Sequence, residues 1–123
     1  MCSLHTSARG ALVALGLALS VVACKETTID EVACPPGGTK LTYDDFGREF
    51  MAKNCQTCHG QPSEDRKGAP ESFDFGTLDA VRAHKDRIFA RAAADNTTMP
   101  PGPDDPPRVE RDQLAEWLAC GAP

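Results

Sequence analysis

The chain of 123 residues has few large apolar side chains, no excess of positive charge and no long apolar run. Aromatic residues make up 6%, with one Trp and one Tyr, so the polypeptide is expected to be unable to fill a core alone. The formal net charge of −5 argues against nucleic acid as a partner. The length allows one small domain and excludes two, and no internal repeat is visible.

The first residues resemble an export signal. Arg9 is followed by an uncharged stretch from Ala11 to Val22 that is too short to span a bilayer comfortably. The stretch ends in Val21-Val22-Ala23-Cys24, which resembles the bacterial lipobox and predicts lipidation of Cys24. The alternative is ordinary cleavage after Ala23 that leaves Cys24 unmodified. We therefore expect a lipoprotein signal peptide at 1–23, a flexible tether at 24–40 and one domain at 41–123.

The five residues Cys55-Gln56-Thr57-Cys58-His59 form a C-x-x-C-H motif, the attachment signal for c-type haem. Each thiol adds across one haem vinyl group, and His59 offers an imidazole nitrogen to the iron. C-x-x-C also occurs in zinc sites and in thioredoxin-like pairs. The chain lacks the second Cys/His pair of a structural zinc site, and no alternating β-branched run precedes Cys55. The motif therefore predicts one covalent haem c with its iron.

Two further cysteines, Cys34 and Cys120, remain in the exported chain. Leftover thiols in an oxidising compartment are most simply a disulfide. This one would tie the segment before the first helix to the last helix. The alternative is two separate buried thiols.

The apolar periodicity predicts three main helices and no strand. The first begins near Thr42 as cap and runs into Cys55. The second starts after Thr77 and continues to about Ala94, and the last runs from about Arg108 to Gly121 at its C′ position. The Gly- and Pro-rich segments from Gly60 to Gly76 and from Asn96 to Pro107 are expected to be loops.

The sixth iron ligand has three candidates in the exported chain. Met51 lies one turn before Cys55 on a segment already fixed to the haem periphery, so core packing is the favoured role. Met99 stands in a Pro-rich loop whose restricted backbone would keep a thioether in one direction. His84 shares the inward face of the second helix and is the competitor, although a histidine there is more often a packed core residue. The remaining alternative is a sixth position with no protein ligand, open to small molecules.

Phe46-Gly47 with Phe50 before the C-x-x-C-H motif, Met99-Pro100-Pro101, and Leu114 with Trp117 before Cys120-Gly121-Ala122-Pro123 together resemble the small monohaem class I c-type cytochromes, especially lipoprotein forms of Gram-negative bacteria. The resemblance covers about residues 40–123. It implies an all-α, class I cytochrome c-like fold whose first and last helices cross at Gly47 and Trp117, with His59 and Met99 as axial ligands.

A saturated iron predicts one-electron transfer and not an enzyme acting on a small-molecule substrate. The expected partners are redox proteins met in transient encounters, and the domain is expected to be monomeric. The acidic balance of the chain favours a partner with a basic patch. Lipid on Cys24 would hold the protein on the periplasmic side of a bacterial membrane, and Lys25 after that cysteine favours the outer membrane. The alternatives are an electron-entry subunit of a larger complex, and a sensor or peroxidase with an open site.

Overall fold

The computed structural model describes residues 25–61 and 63–123. The predicted signal peptide and Cys24 lie outside the described residues. Within them the secondary structure is helical, with no strand. Five α-helices follow one another: α1 (Arg48–Asn54), α2 (Gln56–His59), α3 (Leu78–Ala83), α4 (Lys85–Ala92) and α5 (Arg108–Ala119). A 3-10 turn at Ile29–Glu31 and a π-helical turn at Tyr43–Gly47 precede α1. The all-α prediction is confirmed.

The helix caps predicted from the sequence form their hydrogen bonds at the predicted residues. The Thr42 side chain accepts a hydrogen bond from the Asp45 amide, and Thr77 accepts one from Ala80. At the end of α5, Gly121 has φ +86°. The Gly121 amide donates to Leu118 and the Ala122 amide to Trp117, which is the Schellman pattern. Local hydrogen bonds thus define where the first helical region begins and where α5 ends.

The structure differs from the prediction for the second helix in two places. It is broken at His84, which has φ −111° and ψ 12° and separates α3 from α4. It also ends at Ala92 and not near Ala94. Ala94 turns to φ 54°, because its amide donates to the Arg111 carbonyl at 3.1 Å and its own oxygen accepts from Arg111 Nε at 3.0 Å. This pairing with α5 replaces the last turn of helix.

The first and last helical regions meet at Gly47 and Trp117. A Cβ built at Gly47 would lie 2.4 Å from the Trp117 ring, so only glycine fits there. Phe46 packs edge-on against the same indole, with ring centroids 6.0 Å apart. The largest fully buried side chains lie in this core and along α3 to α5: Trp117, Phe89, Met51, Leu114, Leu118 and Val81.

The segment at 25–40 differs from the expectation of a flexible tether. Ile29 and Val32 pack against the core. The Thr27 carbonyl accepts a hydrogen bond from Nδ2 of the buried Asn96 side chain at 3.0 Å. A disulfide joins Cys34 to Cys120 with Cα atoms 5.1 Å apart. The sequence shows no periodicity there because long-range contacts, and not an amphipathic face, hold the segment in place.

Candidate haem site

The C-x-x-C-H motif lies at the junction of α1 and α2. Cys55 separates the two helices with φ −124° and ψ −44°, while its amide still donates to the Met51 carbonyl at 2.9 Å. The His59 amide in turn donates to the Cys55 carbonyl at 2.9 Å. One helical turn therefore sets the spacing between the two thiols and the imidazole.

Both motif cysteines, His59 and Met99 line one cavity of about 620 Å³. This volume is in the range of cofactor sites. Much of the wall is apolar, from side chains of α1, α4 and the two loops: Phe50, Phe73, Phe75, Ile88, Ala92 and Pro100. The cavity thus brings together residues from separate parts of the chain that the sequence singled out.

The His59 ring is held by two neighbours in the loop between α2 and α3. Its Nδ1 lies 2.7 Å from the carbonyl oxygen of Phe73. A carbonyl only accepts, so Nδ1 carries the proton and Nε2 keeps its lone pair for a metal. The Phe75 ring stacks on the imidazole with centroids 4.7 Å apart. Such outer contacts orient a metal-binding histidine.

Arg66 has a role that the sequence did not reveal. Its guanidinium donates to four backbone carbonyls, those of Ala69, Gly60, Pro70 and Phe73, at 3.1, 3.1, 3.0 and 3.3 Å. The last oxygen is the one that accepts from His59 Nδ1. Arg66 therefore connects the end of α2 to the loop that holds the imidazole.

Met99 enters the cavity from the Pro-rich loop. Its amide donates to the Arg91 carbonyl at 2.8 Å, and the Thr98 hydroxyl donates to the same oxygen at 3.2 Å. The loop is thereby attached to the end of α4. Met99 is 41% exposed, whereas Met51 is fully buried in the core. The core-packing role expected for Met51 is confirmed.

His84 lies behind two of the phenylalanines that line the cavity. Its ring is 5.2 Å from the Phe73 ring and 5.9 Å from the Phe75 ring. It contributes no part of the cavity wall. The structure therefore brings Met99, and not His84, to the same cavity as His59.

The Cys55 thiol does not have the electrostatics of a reactive redox cysteine. Burial raises the pKa of the Cys55 thiol to about 12. A thioredoxin-like cysteine instead needs a lowered pKa to act as a thiolate nucleophile. A structural zinc site needs four ligands. In residues 25–61 and 63–123 no group of three or more His, Cys, Asp or Glu side chains is placed to hold a metal ion.

The cavity lining is basic although the chain is acidic. One acidic residue, Asp104, lines it beside five basic residues: Lys53, Arg66, Lys67, Arg87 and Arg91. Haem c carries two propionate carboxylates, and basic side chains provide the opposite charge. Two thiols, an imidazole with a free Nε2, an apolar wall and a basic lining together fit a covalently attached haem.

No helix among the described residues is long and apolar enough to cross a membrane.

Comparison with known proteins gives a match to one family. A family model described as cytochrome c oxidase, cbb3-type, subunit III matches residues 44–118, more than half of the chain. No curated protein and no solved structure matches the chain. The matched range runs from the π-helical turn into the last turn of α5 and includes every residue placed on the cavity wall. The chain therefore belongs to this family of c-type cytochrome domains, and its cofactor is covalently bound haem c with iron.

Proposed function

We propose that the protein is a one-electron carrier whose haem iron is held by His59 and Met99. The family match supports haem-based electron transfer. The observation that carries the ligand assignment is that both side chains line the same cavity. Haem c, when bound, supplies the one-electron couple.

Hydrogen bonds within the chain orient His59 and position Met99, the two proposed iron ligands. His59 is kept in the tautomer that leaves Nε2 free, because Phe73 accepts from Nδ1. Met99 is held near the end of α4 through the Arg91 carbonyl. With two protein ligands no position is left for substrate, so this arrangement favours electron transfer over bond chemistry.

Matched methionine substitutions test the assignment. Met99→Leu keeps the size of the side chain and removes the sulfur, so it should abolish the sulfur-to-iron charge-transfer band and lower the reduction potential. Met51→Leu is the control, because Met51 lies in the core. Absorption spectra and redox titrations of the two holoproteins provide the measurement. A charge-transfer band that survives in Met99→Leu would refute Met99 ligation. A band absent from the original protein, together with an altered haem spectrum in His84→Gln, would favour the competing histidine.

A second candidate function is electron entry into a larger enzyme complex. The description of the matched family, an oxidase subunit, favours it. Purification from gently solubilised membranes distinguishes the two functions. A free carrier should separate as a single small species, whereas a subunit should co-purify in fixed stoichiometry with other redox proteins.

We also propose that lipid on Cys24 anchors the domain at the periplasmic side of the membrane. The apolar run before Cys24 and the lipobox-like sequence support this. Because Thr27 already contacts Asn96, only a few residues would separate the anchor from the folded domain. The intact mass of the mature protein should show an N-terminal Cys24 that carries fatty acyl groups, and a mature chain with an unmodified Cys24 would contradict the anchor.

The charge of the cavity lining supports a different expectation for the redox partner than the net charge of the whole chain does. Three basic residues that line the cavity, Lys53, Lys67 and Arg87, are exposed, against one exposed acidic residue, Asp104. We propose a partner with an acidic docking patch, since opposite charges steer encounter. Association rates should then fall as ionic strength rises, and Arg87→Gln, which removes an exposed positive charge at the cavity, should weaken that salt dependence. A salt dependence that stays the same or steepens in Arg87→Gln would contradict this charge pairing.

A further inference from the structure

We infer that Arg66 is a positioning residue that raises the reduction potential of the haem through His59. The inference rests on the proposed ligation by His59. It starts from the Phe73 carbonyl, which accepts from His59 Nδ1 at 2.7 Å and from Arg66 Nη2 at 3.3 Å. One oxygen thus couples the imidazole to a guanidinium.

The guanidinium of Arg66 is held in place by four hydrogen bonds to the backbone. A guanidinium has five N–H donors. Four contacts engage the backbone of Gly60, Ala69, Pro70 and Phe73. The side chain is half-buried and its planar fork matches carbonyls on both sides of the loop. Its position relative to His59 is therefore fixed by the loop it organises.

The shared oxygen gives the direction of the effect. A hydrogen bond from Nδ1 makes an imidazole a stronger electron donor, which stabilises the ferric iron. Arg66 draws electron density from the same oxygen, so it weakens the bond from Nδ1 and favours the ferrous iron. Its positive charge beside the cavity acts in the same direction. Both effects raise the potential, and removal of Arg66 should lower it.

Neighbouring residues provide a matched comparison. Lys67 also lines the cavity and carries the same charge. It pairs with the exposed Asp65 side chain, which raises the pKa of Lys67, and it makes no contact with the Phe73 carbonyl. Arg66→Gln and Lys67→Gln therefore remove one charge each from adjacent positions, and only the first changes the oxygen shared with His59.

Redox titration of the holoproteins is the first test. Arg66→Gln should shift the ferrous–ferric equilibrium about tenfold toward the ferric form, which is a fall of about 59 mV for one electron. Lys67→Gln should change that equilibrium by less than about twofold, since its contact is exposed and screened. Equal shifts in the two variants, or no shift in Arg66→Gln, would overturn the inference.

Proton NMR of the ferrous proteins is the second test. The His59 Nδ1 proton should move downfield in Arg66→Gln, because its hydrogen bond to Phe73 becomes stronger, and should stay in place in Lys67→Gln. A mere loosening of the loop would weaken that bond and move the proton upfield, which would refute the proposed role.

Arg66→Lys keeps the inference testable if Arg66→Gln does not fold. It retains the charge but cannot span four carbonyls, so a smaller fall in potential and the same downfield direction are expected. A potential equal to that of the original protein would contradict the inference. Absence of a His/Met spectrum in the unsubstituted holoprotein would be a failure of the proposed function instead.

Discussion

At the residue scale, a few contacts determine how the helices pack and how the His59 imidazole is oriented. Gly47 is the clearest case, because a Cβ there would overlap the Trp117 ring at 2.4 Å. The indole is fully buried and packs against Phe46. It cannot move without disturbing the packing of α5 on the first helical region.

Gly47→Ala should therefore lower the free energy of unfolding of the holoprotein by about 1–3 kcal/mol, the usual cost of overpacking a core. The control is Gly102→Ala, since a Cβ there meets nothing within 4 Å. Chemical denaturation followed by Trp fluorescence and haem absorbance measures both. Equal stability of Gly47→Ala and the original protein would contradict the close approach of Gly47 to Trp117.

Sequence patterns captured the residues whose roles depend on local spacing. The C-x-x-C-H motif, the caps at Thr42 and Thr77 and the C′ glycine at Gly121 are of this kind. Arg66 could not be found this way, because its partners are backbone carbonyls. A carbonyl is present at every residue, so it leaves no signal in the sequence.

At the scale of the elements, the N-terminal segment is a structural part of the domain. The disulfide connects it to the residue after α5, and the Thr39 hydroxyl donates to Glu116 of α5 at 2.5 Å. The bridge spans 86 residues of sequence. A long closed loop reduces the freedom of the unfolded chain and so stabilises the folded one.

Cys34→Ser/Cys120→Ser should lower the free energy of unfolding by about 2–4 kcal/mol. The haem spectrum should persist, because neither cysteine lines the cavity. Denaturation with and without a thiol reductant provides an internal control: the reductant should destabilise the original protein and leave the double variant unchanged. A reductant effect of equal size on both proteins would contradict the role of this bridge.

The break between α3 and α4 shows why element boundaries were harder to predict than element identity. The apolar stripe of Val81, Ile88 and Phe89 continues through the break, so its periodicity predicts one helix. The interruption lies at His84, whose ring contacts Phe73 and Phe75 of the preceding loop. These contacts are tertiary and do not appear in the periodicity.

At the scale of the whole molecule, the cavity occupies space that a domain of this size would otherwise fill with side chains. Its volume is about 620 Å³ and much of its wall is apolar. Several large apolar residues of the core, among them Phe50, Phe75 and Ile88, also line this cavity. We therefore expect the fold to depend on the bound cofactor.

Cys55→Ser/Cys58→Ser removes both thiols and should prevent covalent attachment of haem. Far-ultraviolet circular dichroism should then show the loss of most of the helical signal at about 25 °C, and thermal unfolding should lose its cooperativity. Cys34→Ser/Cys120→Ser is the matched control, with the same chemical change at two cysteines outside the cavity. A haem-free variant with full helicity and cooperative unfolding would show that the polypeptide fills its own core.

The proposed function requires a covalent haem whose iron has protein ligands at both axial positions. The most direct measurement is the absorption spectrum of the reduced holoprotein before and after addition of carbon monoxide. Ligation by His59 and Met99 predicts an unchanged spectrum in the native protein, because no position is free. A rapid spectral change on addition of the gas would contradict the claim and indicate an open site.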